Sequence, residues 1–245
     1  MNEIAIIIPS RLDAVRLPNK PLELINNKEM ILHVYEAAKK TNLGEVYVAT
    51  PDQKIIDLIS KNGGKAIQTS SEHETGTDRV YEVFKNQLKG LPNIIVNLQG
   101  DMPNIDPKAI NNLISYMNEE KCDICTLASS FISDKEITDE NNVKVAVKEE
   151  LKINQFGQAI DFFRTDTKSH KYFYHHVGIY AFTNKALVRY VSLKRSKLEL
   201  ERKLEQLRAL ENSMTIHVGY INSSPLSVDT KNDLIEVRKI MEKNE

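Results

Sequence analysis

At 245 residues the chain has room for one α/β unit around a continuous core, and one domain is expected. Apolar residues make up 41% and charged residues 27%, with 33 basic side chains against 34 acidic ones. That composition excludes a disordered chain, and the balance of charge argues against a nucleic-acid or membrane-surface role. No apolar run approaches a bilayer span or has the pattern of a leader, so a cytoplasmic protein without membrane insertion is expected.

The chain opens on "IAIIIP" (4–9), an uninterrupted apolar run of strand length. Further strands are read at "EVYVAT" (45–50), "KAIQT" (65–69) and "NIIVNLQ" (93–99). Helical spacing fills the gaps at about 28–41, 52–62 and 76–88, as with Ile31, Val34, Tyr35 and Ala38. After a helix near 107–120 come the strand candidates "DICTLASSF", "VKVAVKE", "QAIDFF" and "VGIYAF". "KLELERKLEQLRALEN" (197–212) is the clearest helix, and "TIHVGYI" with a helix from about Asp233 ends the chain. Strand–helix alternation predicts an α/β fold: one Rossmann-like domain with a mixed, mainly parallel sheet and helices on both faces.

Cys122 and Cys125 form a CxxC with no second pair. On a strand, positions three apart face opposite sides, so the thiols should diverge as small buried residues rather than a redox or zinc pair.

Candidate chemistry sits at strand ends, where open α/β sheets bind ligands. In "SRLDAVRLPNKPL" (10–22), Arg11, Arg16 and Lys20 lie in a loop restricted by Pro9, Pro18 and Pro21, which suits either a stiff polyphosphate cradle or a solvated basic loop. "NLQGDMP" (97–103) puts Asp101 just past a strand, and "SVDTKNDL" (227–234) puts Asp229 before the last helix. Each Asp suits a magnesium ligand or a simple cap. "HETGTDRV" (73–80) opens a helix with Gly76 and Thr77 and supplies Arg79.

These segments, in this order and with "HHVGIYAF" and "LELERKLEQLRAL", resemble the 3-deoxy-manno-octulosonate cytidylyltransferase (CMP-Kdo synthetase) family of sugar-acid cytidylyltransferases, from about residue 3 to 240. The resemblance implies a nucleotidyltransferase-type domain over 1–245, with a smaller sugar-binding and dimerisation lobe around 140–212. It implies Mg²⁺-dependent transfer of CMP from CTP to the acid sugar Kdo for lipopolysaccharide biosynthesis, by a homodimer.

By the same resemblance Arg11, Lys20, Asp101 and Asp229 are catalytic, the two aspartates holding Mg²⁺. Pro9, Ser10, His73, Gly76, Thr77, Arg79 and Gln99 enclose the nucleotide with Arg11 and Lys20. Arg164, His176, Tyr180, Glu205 and Gln206 face the sugar acid, Arg164 its carboxylate. A small hydroxyl and a glycine are usual in relatives where Ala14 and Asn19 stand, an acidic residue where Met102 stands, and the 165–175 loop is short. A related sugar acid, 8-amino-Kdo or a sialic acid, and a CTP-binding module without turnover stand as alternatives.

Overall fold

The computed structural model describes residues 3–13, 16–119, 122–153, 155–165 and 169–243, so Ala14 and part of the 165–175 loop lie outside the described residues. The chain divides into two compact units, one of residues 1–111 and 225–245 and one of residues 112–224.

The first unit begins with β1 (Ile4–Pro9), followed by the short pair β2 (Leu24–Ile25) and β3 (Lys28–Glu29) and then α1 (Met30–Lys40). β4 (Glu45–Thr50), α2 (Gln53–Lys61), β5 (Ala66–Gln68), α3 (Gly76–Glu82) and β6 (Ile94–Asn97) follow. Strands lie in the order β5-β4-β1-β6, all parallel, with Ile6 of β1 opposite both Val46 and Val96. Ile6, Ile7 and Ile8 are fully buried, as expected of a strand covered on both faces. The β2–β3 hairpin, whose second strand takes the start of the segment expected to be helical from about 28, turns on Asn26 and Asn27 with φ of 47° and 60°. Two adjacent residues at positive φ make the tight turn that matches strand twist, and Asn tolerates it better than most.

After α4 (Pro107–Glu119), the second unit carries β7 (Ile124–Ser129), α5 (Asp134–Thr138), β8 (Lys144–Val147), β9 (Phe156–Phe163) and β10 (Phe173–Thr183). It is completed by α6 (Asn184–Ser192), α7 (Lys197–Arg202), α8 (Leu207–Glu211) and β11 (Ile216–Ile221). Its strands run β10-β7-β11-β9-β8, and β10 pairs also with β8, closing a five-stranded barrel. Among these strands the β7–β11 pairing is parallel, and the β7–β10, β8–β10, β8–β9 and β9–β11 pairings are antiparallel.

This corrects the expectation of one Rossmann-like domain on a mainly parallel sheet. The connection 148–155 is too short for a crossover helix, so β9 must run back against β8, and β10 lies antiparallel to β8 on its other side. The eleven-residue β10 then reaches both neighbours and closes the ring. Beyond it, α9 (Lys231–Glu242) returns the chain to the first unit, packing Leu234 and Val237 with Leu17, Ile25, Met30 and Val228.

Two local readings also change. The Cys122 and Cys125 sulfurs lie 3.1 Å apart rather than on opposite faces, though both are buried as expected. Cys122 precedes the strand. The bend at Asp123 is pinned by its N–H donating to Thr215 Oγ1 (2.9 Å) and by Thr215 N–H donating back to Asp123 Oδ2 (2.9 Å).

The predicted 197–212 helix is broken at Lys203, which has φ 54°. An unbroken helix would put Glu199 and Arg208, nine positions apart, on opposite faces. The break lets Arg208 donate to both carboxylate oxygens of Glu199 at 2.8 and 2.5 Å, with both residues buried.

Candidate active site

The carboxyl ends of β1 and β6, the 10–22 loop, the segment before α3 and the entry to α9 enclose a cavity of about 320 Å³ in the first unit. Pro9, Ser10, Arg11, Lys20, His73, Gly76, Arg79, Gln99, Asp101 and Asp229 line it. Thr77 does not; it is buried behind the wall.

At the centre, Lys20 Nζ donates to Asp101 Oδ2 at 2.9 Å and to Asp229 Oδ1 at 3.1 Å. Local folding makes the meeting. Pro21 presets the short helical turn Lys20–Leu22, and Asn19 enters it in the left-handed region. Val228, fully buried against Leu17 and Met30, donates its N–H to the Asp101 carbonyl at 2.9 Å, and Leu226 N–H reaches Asn104 Oδ1 at 2.9 Å. Thr230, not Asp229, caps α9: its Oγ1 accepts from Asp233 N–H while Asp233 Oδ2 accepts from Thr230 N–H at 2.7 Å. The Asp229 side chain is thereby left to the cleft.

Arg16 completes the cluster, its Nη2 lying 2.9 Å from Asp229 Oδ2. The residue-by-residue resemblance passed over it, although its place as the middle cation of the basic loop was the available signal. Burial pulls the Lys20 pKa down, but the Asp101 and Asp229 carboxylates outweigh it and the net direction is up, so the ammonium stays charged.

Asp101 Oδ1 is buried without a hydrogen-bond partner. A buried carboxylate oxygen in that state calls for a cation. Two carboxylates facing a cleft lined by Arg11, Arg16 and Lys20 are a donor set that Mg²⁺ takes, the rest coming from substrate and water, so the residues present fit that ion. Among the described residues no cluster of three or more His, Cys, Asp or Glu is built for a metal by protein ligands alone.

The wall where β1, β6 and the start of α3 meet is shaped by close approach. A Cβ on Gly76 would stand 3.2 Å from Pro9 Cγ, and one on Gly100 would stand 3.2 Å from the Pro9 carbonyl oxygen. Gln99 is steered by a relay, its Nε2 donating to Asn97 Oδ1 (3.2 Å) and Asn97 Nδ2 donating to Thr77 Oγ1 (3.2 Å). Ser10 Oγ is buried and has no partner. Arg79 is mostly sequestered, donating to Thr69 Oγ1 (2.5 Å) and the Ser70 carbonyl (2.8 Å); burial, with Arg11 nearby, lowers its pKa. His73 Nε2 meets Glu82 Oε2 at 2.5 Å. Asn19 has φ 58°, a backbone demand rather than a missing contact, and Met102 is buried.

The remaining five predicted residues belong to the second unit. His176 Nε2 lies 3.0 Å from Thr126 Oγ1, and its ring sits 5.5 Å from that of Tyr180. Burial drives the His176 pKa down to about 3, keeping it neutral, and drives the Tyr180 pKa up, with Glu205 adding to the effect. Glu205 and Gln206 occupy the link between α7 and α8 instead of an exposed helix face; Gln206 is buried, and the Glu205 carbonyl accepts from Tyr190 Oη at 2.7 Å. Arg164 is held by the 139–142 turn. Its Nη1 donates to the carbonyls of Glu140 (2.7 Å) and Asn141 (3.2 Å), and it lines a second cavity of about 560 Å³ with Asp161, His170 and Arg202.

A parallel-sheet cleft that gathers cations and two carboxylates at its strand ends is the arrangement of a nucleotidyl-transfer enzyme. The cytidylyltransferase family model matches residues 5–216. The chain is 44% identical over 247 residues to 3-deoxy-manno-octulosonate cytidylyltransferase of Rickettsia bellii, covering 99% of this chain and 97% of that protein. It is 41% identical over 241 residues to the Bartonella henselae enzyme of the same name, with 98% of each chain covered. Its fold superposes with a TM-score of 0.89 on a solved CMP:2-keto-3-deoxy-manno-octonic acid synthetase complexed with CTP, at 36% identity over 99% of this chain and 100% of the other. The chain belongs to the cytidylyltransferase family, and within it to the 3-deoxy-manno-octulosonate cytidylyltransferases.

Proposed function

We propose that the chain transfers CMP from CTP to the anomeric hydroxyl of Kdo, giving CMP-Kdo and pyrophosphate for lipopolysaccharide biosynthesis. The observation that carries this reading is the meeting of Lys20, Asp101 and Asp229 at a strand-end cleft, in a chain of this family.

The reaction is an in-line displacement in which the sugar hydroxyl attacks the α-phosphorus and pyrophosphate leaves. It needs position and charge neutralisation more than a protein nucleophile. Lys20 and Arg11 take the triphosphate oxygens, with Arg16 beside them. The Pro9–Ser10 backbone, Gly76 and Gln99 hold the nucleotide, and the unpartnered Ser10 hydroxyl is available to it. His73, Thr77 and Arg79 support that wall. Asp101 and Asp229 would hold Mg²⁺, which supplies charge neutralisation and a lowered pKa for the attacking hydroxyl. On the sugar side Arg164 takes the carboxylate, and His176, Tyr180, Glu205 and Gln206 shape the pocket. Neutral His176 is there a hydrogen-bonding group, not a cation.

Homodimerisation and a cytoplasmic location, both carried by family resemblance, belong to the same proposal. No helix among the described residues is long and apolar enough to cross a membrane. The test is pyrophosphate release from CTP with Mg²⁺ across Kdo, 8-amino-Kdo and sialic acid. Kdo is expected to give the highest kcat/KM, and release from none of them would sink the proposal. Light scattering on a sizing column reads the dimer.

A further inference from the structure

Lys144, on β8, is fully buried and makes no ion pair with a carboxylate among the described residues. Its ammonium instead donates to three main-chain carbonyls, those of Asp139 (2.6 Å), Asn142 (2.9 Å) and Arg164 (2.7 Å). Three donors meet three acceptors, so its hydrogen-bonding capacity is used in full. Burying a charge in this way is costly, and an apolar side chain would fill the same space at lower cost. What the ammonium accomplishes is visible in its acceptors. Two flank the turn whose Glu140 and Asn141 carbonyls receive the Arg164 guanidinium, and the third is the carbonyl of Arg164 itself. One nitrogen ties down both the root of the arginine and the shelf under its tip.

We infer that Lys144 is a positioning residue for sugar-acid binding, acting through Arg164 by fixing its backbone and the 139–142 turn. The inference rests on the reading that Arg164 takes the sugar carboxylate. Supporting groups of this kind typically change ligand affinity by about 10- to 100-fold when removed.

Steady-state kinetics of Lys144→Met, Arg164→Met and the double variant test it, with the CTP and Kdo concentrations varied separately. The expected result for Lys144→Met is a KM for Kdo raised about tenfold or more, with kcat and the KM for CTP within about threefold. In the Arg164→Met background the Lys144 substitution should add little, since its effect passes through the arginine. Where Lys144→Met lowers soluble yield, Lys144→Gln, which keeps a donor, carries the same comparison.

An unchanged KM for Kdo in the Lys144 variants, with Arg164→Met raising it, overturns the inference alone. An unchanged KM for Kdo in Arg164→Met overturns the Arg164 reading and the inference with it. Equal losses for both substrates, or additive losses in the double variant, reduce Lys144 to a structural group and also overturn the inference.

Discussion

Lys20 and Asp229, separated by 209 positions in the sequence, meet at 3.1 Å between Nζ and Oδ1, and the same nitrogen holds Asp101. Three charged groups from the two ends and the middle of the first unit thus share one point. Lys20→Met should remove both the phosphate-binding charge and the group that offsets the two carboxylates. A fall in kcat/KM for CTP of about hundredfold or more is expected by steady-state assay; a change under threefold would remove Lys20 from the machinery.

Asn19 precedes the Lys20 turn at φ 58° and ψ 19°, and its N–H donates to the Leu12 carbonyl at 3.0 Å. A side chain with a Cβ and no local hydrogen-bonding group resists that conformation by about 1–2 kcal/mol. Urea unfolding should show Asn19→Ala destabilised by about 1 kcal/mol and Asn19→Gly within about 0.5 kcal/mol of the parent. Equal stability of all three would contradict the backbone account of Asn19.

His176 is held neutral because burial lowers its pKa to about 3, with His175 adding to the effect. The unfolded chain, with an ordinary histidine, takes up a proton that the folded chain refuses. Stability from this residue is therefore present above about pH 6.5 and is lost as pH falls toward 3, with a limiting slope of about 1.4 kcal/mol per pH unit. Unfolding free energies of the parent and His176→Gln, compared from pH 7 to 4.5, should converge as the pH falls. Parallel curves would contradict the assignment.

Arg208 and Glu199 form a buried two-point ion pair, and the Arg208 guanidinium carbon also lies 4.8 Å from the Tyr190 ring centroid. The Glu199 hydrogen bond, ahead of the opposing effect of burial, raises the Arg208 pKa. Removing one partner strands a buried charge, so Arg208→Met should cost about 3–5 kcal/mol in calorimetric or chemical unfolding. Because the pair closes the α7–α8 link that carries Glu205 and Gln206, the KM for Kdo should rise as well. A variant as stable as the parent would contradict the pair's role in breaking the helix.

The site was legible where the chemistry is local. Ile6 to Ile8 read as a buried strand, and Arg11, Arg16 and Lys20 among Pro9, Pro18 and Pro21 marked the loop at its tip. Asp101 and Asp229 are each open between cap and ligand in the sequence, and their meeting depends on Val228 N–H bonded to the Asp101 carbonyl, a contact that no periodicity encodes. The barrel was illegible for a different reason. Strand runs state that residues alternate or are buried, but the pairing of β10 with both β7 and β8 depends on connection length and closure. The helix at 197–212 misled because its apolar spacing continues past Lys203, while the break goes with the Glu199–Arg208 pair, which spacing does not show. Cys122 and Cys125 misled in the same way, through a bend set by Thr215, ninety-two positions beyond Asp123.

The most direct measurement is the initial rate of pyrophosphate release from CTP and Kdo by Asp229→Asn as Mg²⁺ is varied, with folding checked by circular dichroism. Loss of one carboxylate from the pair is expected to lower the rate by about 100- to 1,000-fold and to raise the Mg²⁺ concentration needed for half-maximal turnover. A folded variant whose rate and Mg²⁺ dependence match the parent would contradict the account of Asp101 and Asp229 as the reaction centre.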